Sequence, residues 1–213
     1  MKKIILPSAY AAPVPYYAHL YAHPESQIEH CEHYIKQTIR NRCWIAGPNG
    51  AEMLTIPVEK SEKGKMLMRD VKISDHGHWR HQHWNALQSY YERSPFFDYY
   101  ADSLRPFYER EITFLTDFNE GLQRTILELL DLNAAFTTTT QYEGREAYDI
   151  DLRNFPNLQN AASAAVWDAK PYYQVFAHKH GFIPHLSILD LLFNMGPETR
   201  LVLKDFELQT TGN

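Results

Sequence analysis

Three cations, Lys36, Arg40 and Arg42, fall within one acid-free stretch of the segment Tyr34–Ile45, which reads YIKQTIRNRCWI. Guanidinium and ammonium groups lined up on one side of a chain suit carboxylates and phosphates: arginine grips with a planar fork, lysine acts as a point charge. In an extended segment alternate side chains share a face. Lys36, Thr38, Arg40 and Arg42 then point one way, and Gln37, Ile39, Asn41, Cys43 and Ile45 the other. The chemistry expected of such a ribbon is anion binding, with Lys36, Arg40, Asn41 and Arg42 as contacts. A plain edge strand with a solvated basic face would show the same pattern.

A transfer reaction also needs a proton acceptor. His83, beside Trp84, repeats at four-residue spacing with Trp79 and Leu87. An imidazole there has a pKa suited to deprotonating an attacking amine at neutral pH. Asp190 fits either a helix-capping carboxylate or a site acid, and Asp190 or Asp70 would orient a donor. Tyr10 and His19 lie in the proline-rich stretch 8–24, which reads as a shaped loop leaving the first strand. The same tyrosines could simply pack that loop onto the core. Gln174, set between Tyr173 and Val175, either faces solvent or binds something, because an unpartnered buried amide is costly. Asn194 is either a polar helix end or a ligand contact.

Other chemistries find less support. Residues 76–83 read HGHWRHQH, and His30, Cys31 and His33 form a second cluster, but no HExxH or CxxC pair fixes a ligand geometry. No metal and no cofactor are expected. Cys43 sits beside Arg42, which would activate an exposed thiol, whereas on the apolar side of a strand it is a small core residue. There is no nucleophile elbow, Walker-type phosphate loop or Rossmann glycine pattern.

The elements that must position these groups read as follows. Ile4–Leu6 is a short buried strand, with a short helix over Tyr16–Tyr21. The basic segment and Met53–Val58 form a hairpin around Pro48-Asn49-Gly50, and alternation over Met66–Ser74 predicts a third strand. Helices are expected over about 79–92, after the Ser94-Pro95 pair, and after Asp117, whose Glu120 completes a capping box. Ala134–Tyr142 is expected to be extended. Ser187 caps a helix that Gly196-Pro197 stops, and Leu201–Leu203 adds a last strand. The fold class is α+β: one domain over 1–213, with a small mixed or antiparallel sheet and an N-terminal β-hairpin packed against several α-helices.

The chain has 213 residues and a net charge of -5, which argues against nonspecific nucleic-acid binding. Two cysteines, and no apolar run long enough for a signal or a span, give a cytoplasmic location as the expectation, with no membrane contact. Tyrosine- and phenylalanine-rich surface is compatible with a homodimer.

Four blocks taken together carry a resemblance: IKQTIRNRCWI with LTIPV, HWNALQSYYERSPFFDYY, YYQVFAHKHGFIP and LSILDLLFNMGP. They resemble the WbqC-like protein family over nearly the whole chain, and its branch in Bacteroidetes-type bacteria most. The family's Lys ahead of an Asn-Arg pair matches Lys36, Asn41 and Arg42. Its Ser/Ala-Pro-x-Phe element matches Ser94, Pro95 and Phe97, and its closing block matches Ser187–Leu192. Position 185 is His where that branch is expected to carry Asn. The resemblance implies a transferase linked to surface-polysaccharide biosynthesis, moving a glycyl or other aminoacyl or acyl group onto an amino sugar or related acceptor. The expected partner is a small anionic substrate, a nucleotide sugar or an aminoacyl donor. The alternative is a non-catalytic module that binds an anionic metabolite or a partner protein.

Overall fold

The computed structural model describes residues 2–60, 64–132, 135–156 and 169–206. Strand β1 (Ile4–Pro7) is buried along its whole length, as befits a strand covered on both faces. Helix α1 (Val14–Ala22) carries the chain back to β2 (Gln27–Glu29), which lies parallel to β1. Further on, β5 (Thr137–Thr138) joins β2 and β6 (Ile150–Asp151) joins the other side of β1. The sheet order is therefore β5-β2-β1-β6, all parallel, and the strand order reverses at β1. The expected hairpin is present but separate: β3 (Arg42–Gly47) and β4 (Gly50–Thr55) pair antiparallel across Pro48-Asn49. Gly50 takes a positive φ of 111° to close that turn.

Helices α2 (Trp79–Tyr91), α3 (Phe97–Leu104), α4 (Pro106–Glu109) and α5 (Leu115–Leu129) follow. The chain then adds α6 (Ala177–His180), α7 (Ile188–Met195) and α8 (Thr199–Lys204). Buried apolar side chains from Ile4 to Leu203 form one core cluster, in which α7 is buried almost all round. Ser187 caps α7 as expected, its hydroxyl accepting from the Leu189 amide while donating to the Ala11 carbonyl.

Several elements differ from expectation for identifiable reasons. Only Arg42–Gly47 of the basic segment is strand; Tyr34–Asn41 is a turn-rich loop with Gln37 at φ 61°. Arg40 is drawn inward to an acid, so the cations do not share one face. Met66–Ser74 forms a 3-10 turn, Met68–Asp70, flanked by isolated bridges to three other loops, so its alternation reflects single contacts. The Ser94 hydroxyl donates back to the Tyr91 carbonyl, closing α2 instead of opening α3. Asp117 sits in the first turn of α5, where a carboxylate favours the helix dipole, but Phe114 holds the cap position. Leu201–Leu203 is helical, and of the run 134–142 only Thr137–Thr138 is strand, residue 134 lying outside the described residues.

Candidate functional site

In open parallel sheets, ligands favour the crevice beyond the carboxyl ends of the strands, at the point where strand order reverses. Here the loops leaving β1, β2 and β6 meet at that end around two buried arginines. Arg40 is 1% exposed and donates from Nε and Nη2 to Glu32 Oε1 at 2.8 and 2.6 Å. Its Nη2 also reaches the Arg153 carbonyl at 2.8 Å, and its Nη1 the Thr38 hydroxyl at 3.2 Å. Arg153 bonds Glu29 at 3.1 Å, both oxygens of Asp151, and the Glu143 carbonyl. Burial raises the Glu32 carboxyl above its ordinary range, with Arg40 opposing that rise. The two guanidinium groups thus staple the β2–β3 loop onto the end of β6.

Against this staple lies a cavity of about 90 Å³, lined among the described residues by Gln37, Thr38, Ile39, Arg42, Trp44, Met53 and Phe155. Alternation along β3 accounts for part of the wall: Arg42 and Trp44 share one face, and Met53 pairs with Trp44 from across the hairpin. Arg42 differs from Arg40 in one respect that matters. Its Nε is buried with no hydrogen-bond partner, and the side chain makes no ion pair among the described residues. A second cavity, of about 20 Å³ between Val14, Tyr172, Phe182 and Val202, is mostly apolar and has room for roughly one water.

The opposite face of β3 carries Cys43 into the core. Burial, opposed by a hydrogen bond to Tyr10, pushes its thiol well above the usual range, so it is no nucleophile. Nearby, the Tyr10 hydroxyl bonds His83 Nδ1 at 2.9 Å and the Tyr108 hydroxyl at 3.1 Å, and its ring stacks on the imidazole. His83 is lowered to about 4 by burial, against a hydrogen bond to the Thr55 backbone that favours the charged form. It is a neutral core histidine on the far side of the hairpin from Arg42.

Asp190 is likewise enclosed. Its carboxylate accepts from the Tyr91 and Tyr172 hydroxyls, both at 2.7 Å, and from Gln174 Nε2 at 3.0 Å. Burial raises it to about 6 despite those bonds. The capping role expected of it is filled by other contacts. Gln174 also exchanges two bonds with the Ile183 backbone, and Asn194 accepts from the Val175 amide. Asp190, Gln174 and Asn194 therefore hold the segment 172–183 on α7.

Of the residues singled out from sequence as catalytic or binding, only Arg42 lines the larger cavity. Lys36 and Asp70 are exposed; Trp84 is half-buried against Phe97 and Tyr108. Asn41 is buried and donates to the Ile56 carbonyl, and His19 is buried on α1, lowered to about 4 by burial and then by His23. Among the described residues no three His, Cys, Asp or Glu side chains converge in a way that could hold a metal ion, and no helix is long and apolar enough to cross a membrane. Sequence reasoning missed Gln37, Ile39, Trp44, Met53 and Phe155. The turn at Pro48-Asn49 already fixes the register that sets Trp44 against Met53, and that was the usable signal.

No solved structure matches the chain. An uncharacterized protein of Mycobacterium tuberculosis (strain ATCC 25618 / H37Rv), Rv1507c, is 28% identical over 191 residues, covering 78% of this chain and 81% of its own length. A model of one protein family spans residues 9–158, which include the buried arginines and every described residue lining the Arg42 cavity. On that match, the chain belongs to the WbqC-like protein family.

Proposed function

We propose that the cavity beside Arg42 holds the anionic end of a small metabolite, and that the chain is a transferase handing an aminoacyl or acyl group to an amino sugar or related acceptor in surface-polysaccharide synthesis. The observation that carries the binding half is the Arg42 guanidinium, partly buried and without a counter-charge among the described residues. A partly desolvated cation left unpaired carries a cost, so an anion is its natural complement. The transferase half leans on the family resemblance. A second reading, a binding module without turnover, is favoured by a specific fact: no described residue with a side chain suited to general acid or base work lines the cavity, and His83 and Asp190 are closed off elsewhere.

Thermal melts of the full chain against a panel of nucleotide sugars, acyl and aminoacyl donors, and simple carboxylates and phosphates test the shared premise. A true ligand raises the midpoint with concentration, and Arg42→Gln weakens its affinity by roughly tenfold to a hundredfold, the effect of losing one charge-assisted hydrogen-bonded contact. Stabilisation unchanged in Arg42→Gln would remove the basis for the site. Mass spectrometry of the ligand after incubation with acceptor sugars then separates the readings: a transferred group supports the transferase, an unaltered ligand the module.

A further inference from the structure

Resting on the anion-pocket reading above, we infer that the ligand is a small monocarboxylate that carries no ammonium group, an acyl-type acid in place of an amino acid or a nucleotide. Charge is the first argument. Arg42 is the only cation among the described residues that line the cavity. Arg40, two positions earlier, is already paired with Glu32, and Arg153 with two carboxylates, Glu29 and Asp151, so neither has positive charge to spare for a ligand. One free positive charge balances one carboxylate. A phosphate monoester carries about -1.5 to -2 near neutral pH, and a diphosphate more, so part of its charge would stay uncompensated beside apolar walls.

The second argument concerns the ammonium group. No Asp or Glu is among the described lining residues, and the polar members other than Arg42 are Gln37 and Thr38. The Thr38 hydroxyl already donates to the Ile35 carbonyl and accepts from Arg40. An amino acid whose carboxylate met Arg42 would place its ammonium within a few ångströms of a guanidinium, with no acid to offset the repulsion.

The third is the shape of the remainder. Ile39, Trp44, Met53 and Phe155 give the cavity an apolar and aromatic wall. Its volume of about 90 Å³ is several times what a single water needs, room for a small body such as a short branched acid. The planar fork of Arg42 matches a carboxylate in two parallel bonds.

The test uses three ligands with matched branched bodies: isovalerate, valine and isobutyl phosphate. Each is titrated into nitrogen-labelled full-length protein at about pH 7.5, where the phosphate monoester is largely dianionic. The Trp44 indole N–H signal, assigned with a Trp44→Phe variant, reports on the cavity wall. Isovalerate is expected to shift it saturably, with valine and isobutyl phosphate weaker by roughly tenfold or more, and with Arg42→Gln weakening isovalerate by a similar factor. Arg42→Lys keeps the charge and loses the fork, and is expected to fall between wild type and Arg42→Gln. If valine or isobutyl phosphate binds as tightly as isovalerate and depends on Arg42, the ligand class is wrong while the pocket stands. If none of the three saturates, or if neither Arg42 variant alters the titration, the pocket reading fails and this inference fails with it.

Discussion

Two arginines stand two residues apart in the sequence, and the structure assigns them opposite energetic roles. Arg40 and Glu32 are 2% and 9% exposed at their side chains and make a doubly hydrogen-bonded pair. Replacing Arg40 with Met removes the cation and leaves the Glu32 carboxylate buried without its main partner. Breaking a buried pair from one side costs about 3–5 kcal/mol, most of it the penalty of the abandoned charge. For a chain of this size about 1 kcal/mol moves the melting midpoint by roughly 2–4 °C, so Arg40→Met is expected to lower it by roughly 6–20 °C. The double variant Arg40→Met/Glu32→Leu removes both charges and is expected to recover most of that loss. Arg42→Met removes no hydrogen bond or ion pair among the described residues, and is expected to be as stable as wild type or up to about 1 kcal/mol more stable. Urea denaturation monitored by tryptophan fluorescence and circular dichroism gives all three values. A loss under about 1 kcal/mol for Arg40→Met, or a double variant no more stable than the single, would refute the view that this pair is a dry structural staple.

Asp190 is raised to about 6, so the folded state holds its proton more tightly than the unfolded chain and stability is subtracted as pH climbs through roughly 4 to 6. Relative to wild type, Asp190→Asn should therefore gain stability between pH 4 and pH 7 in urea titrations, and a difference that does not vary with pH would contradict the assignment. His83, lowered to about 4, favours the folded state above its ordinary pKa of about 6.5 and loses that contribution as pH falls toward 4. Its ring signals in nuclear magnetic resonance are expected to stay those of neutral imidazole at pH 6, and a midpoint near 6.5 would place it in solvent. At Gly196, with φ 52°, an added Cβ would stand 2.5 Å from the Phe96 ring. Gly196→Ala is expected to cost roughly 2–4 kcal/mol by combining left-handed strain with overpacking, and thermal melts check it.

The parts of the fold legible in the sequence were those written in local chemistry. Ile4–Leu6, the hairpin turn, and α7 between its serine cap and Gly196 all follow from short-range rules. The stretch 8–24, by contrast, reads as a loop with a short helix over Tyr16–Tyr21 and in fact holds α1 from Val14, opened by its prolines. The basic segment was misread because one partner of Arg40, the Arg153 carbonyl, lies 113 residues away, and a buried ion pair looks on paper like an exposed charge. Asp190 matched a capping pattern, yet its true partners include Tyr91, 99 positions upstream. His83 was rightly placed on a half-apolar helix face, but the hairpin between it and Arg42 cannot be inferred from helix periodicity. Arg42 was found by its charge; Phe155 carried no signal linking it to the hairpin.

Glu29 is fully buried and waits for Arg153, 124 residues further along the chain, and Phe155 closes the cavity only after that. Pairings of such long sequence separation form late and slow a fold's assembly. During synthesis the amino-terminal acids must stay hydrated until the sixth strand arrives, so a nascent chain shorter than this is an open, partly collapsed species rather than a small working version of the protein. Chaperone dependence should accordingly persist at least until the region around residue 155 has emerged, and fragments ending before it should be degraded.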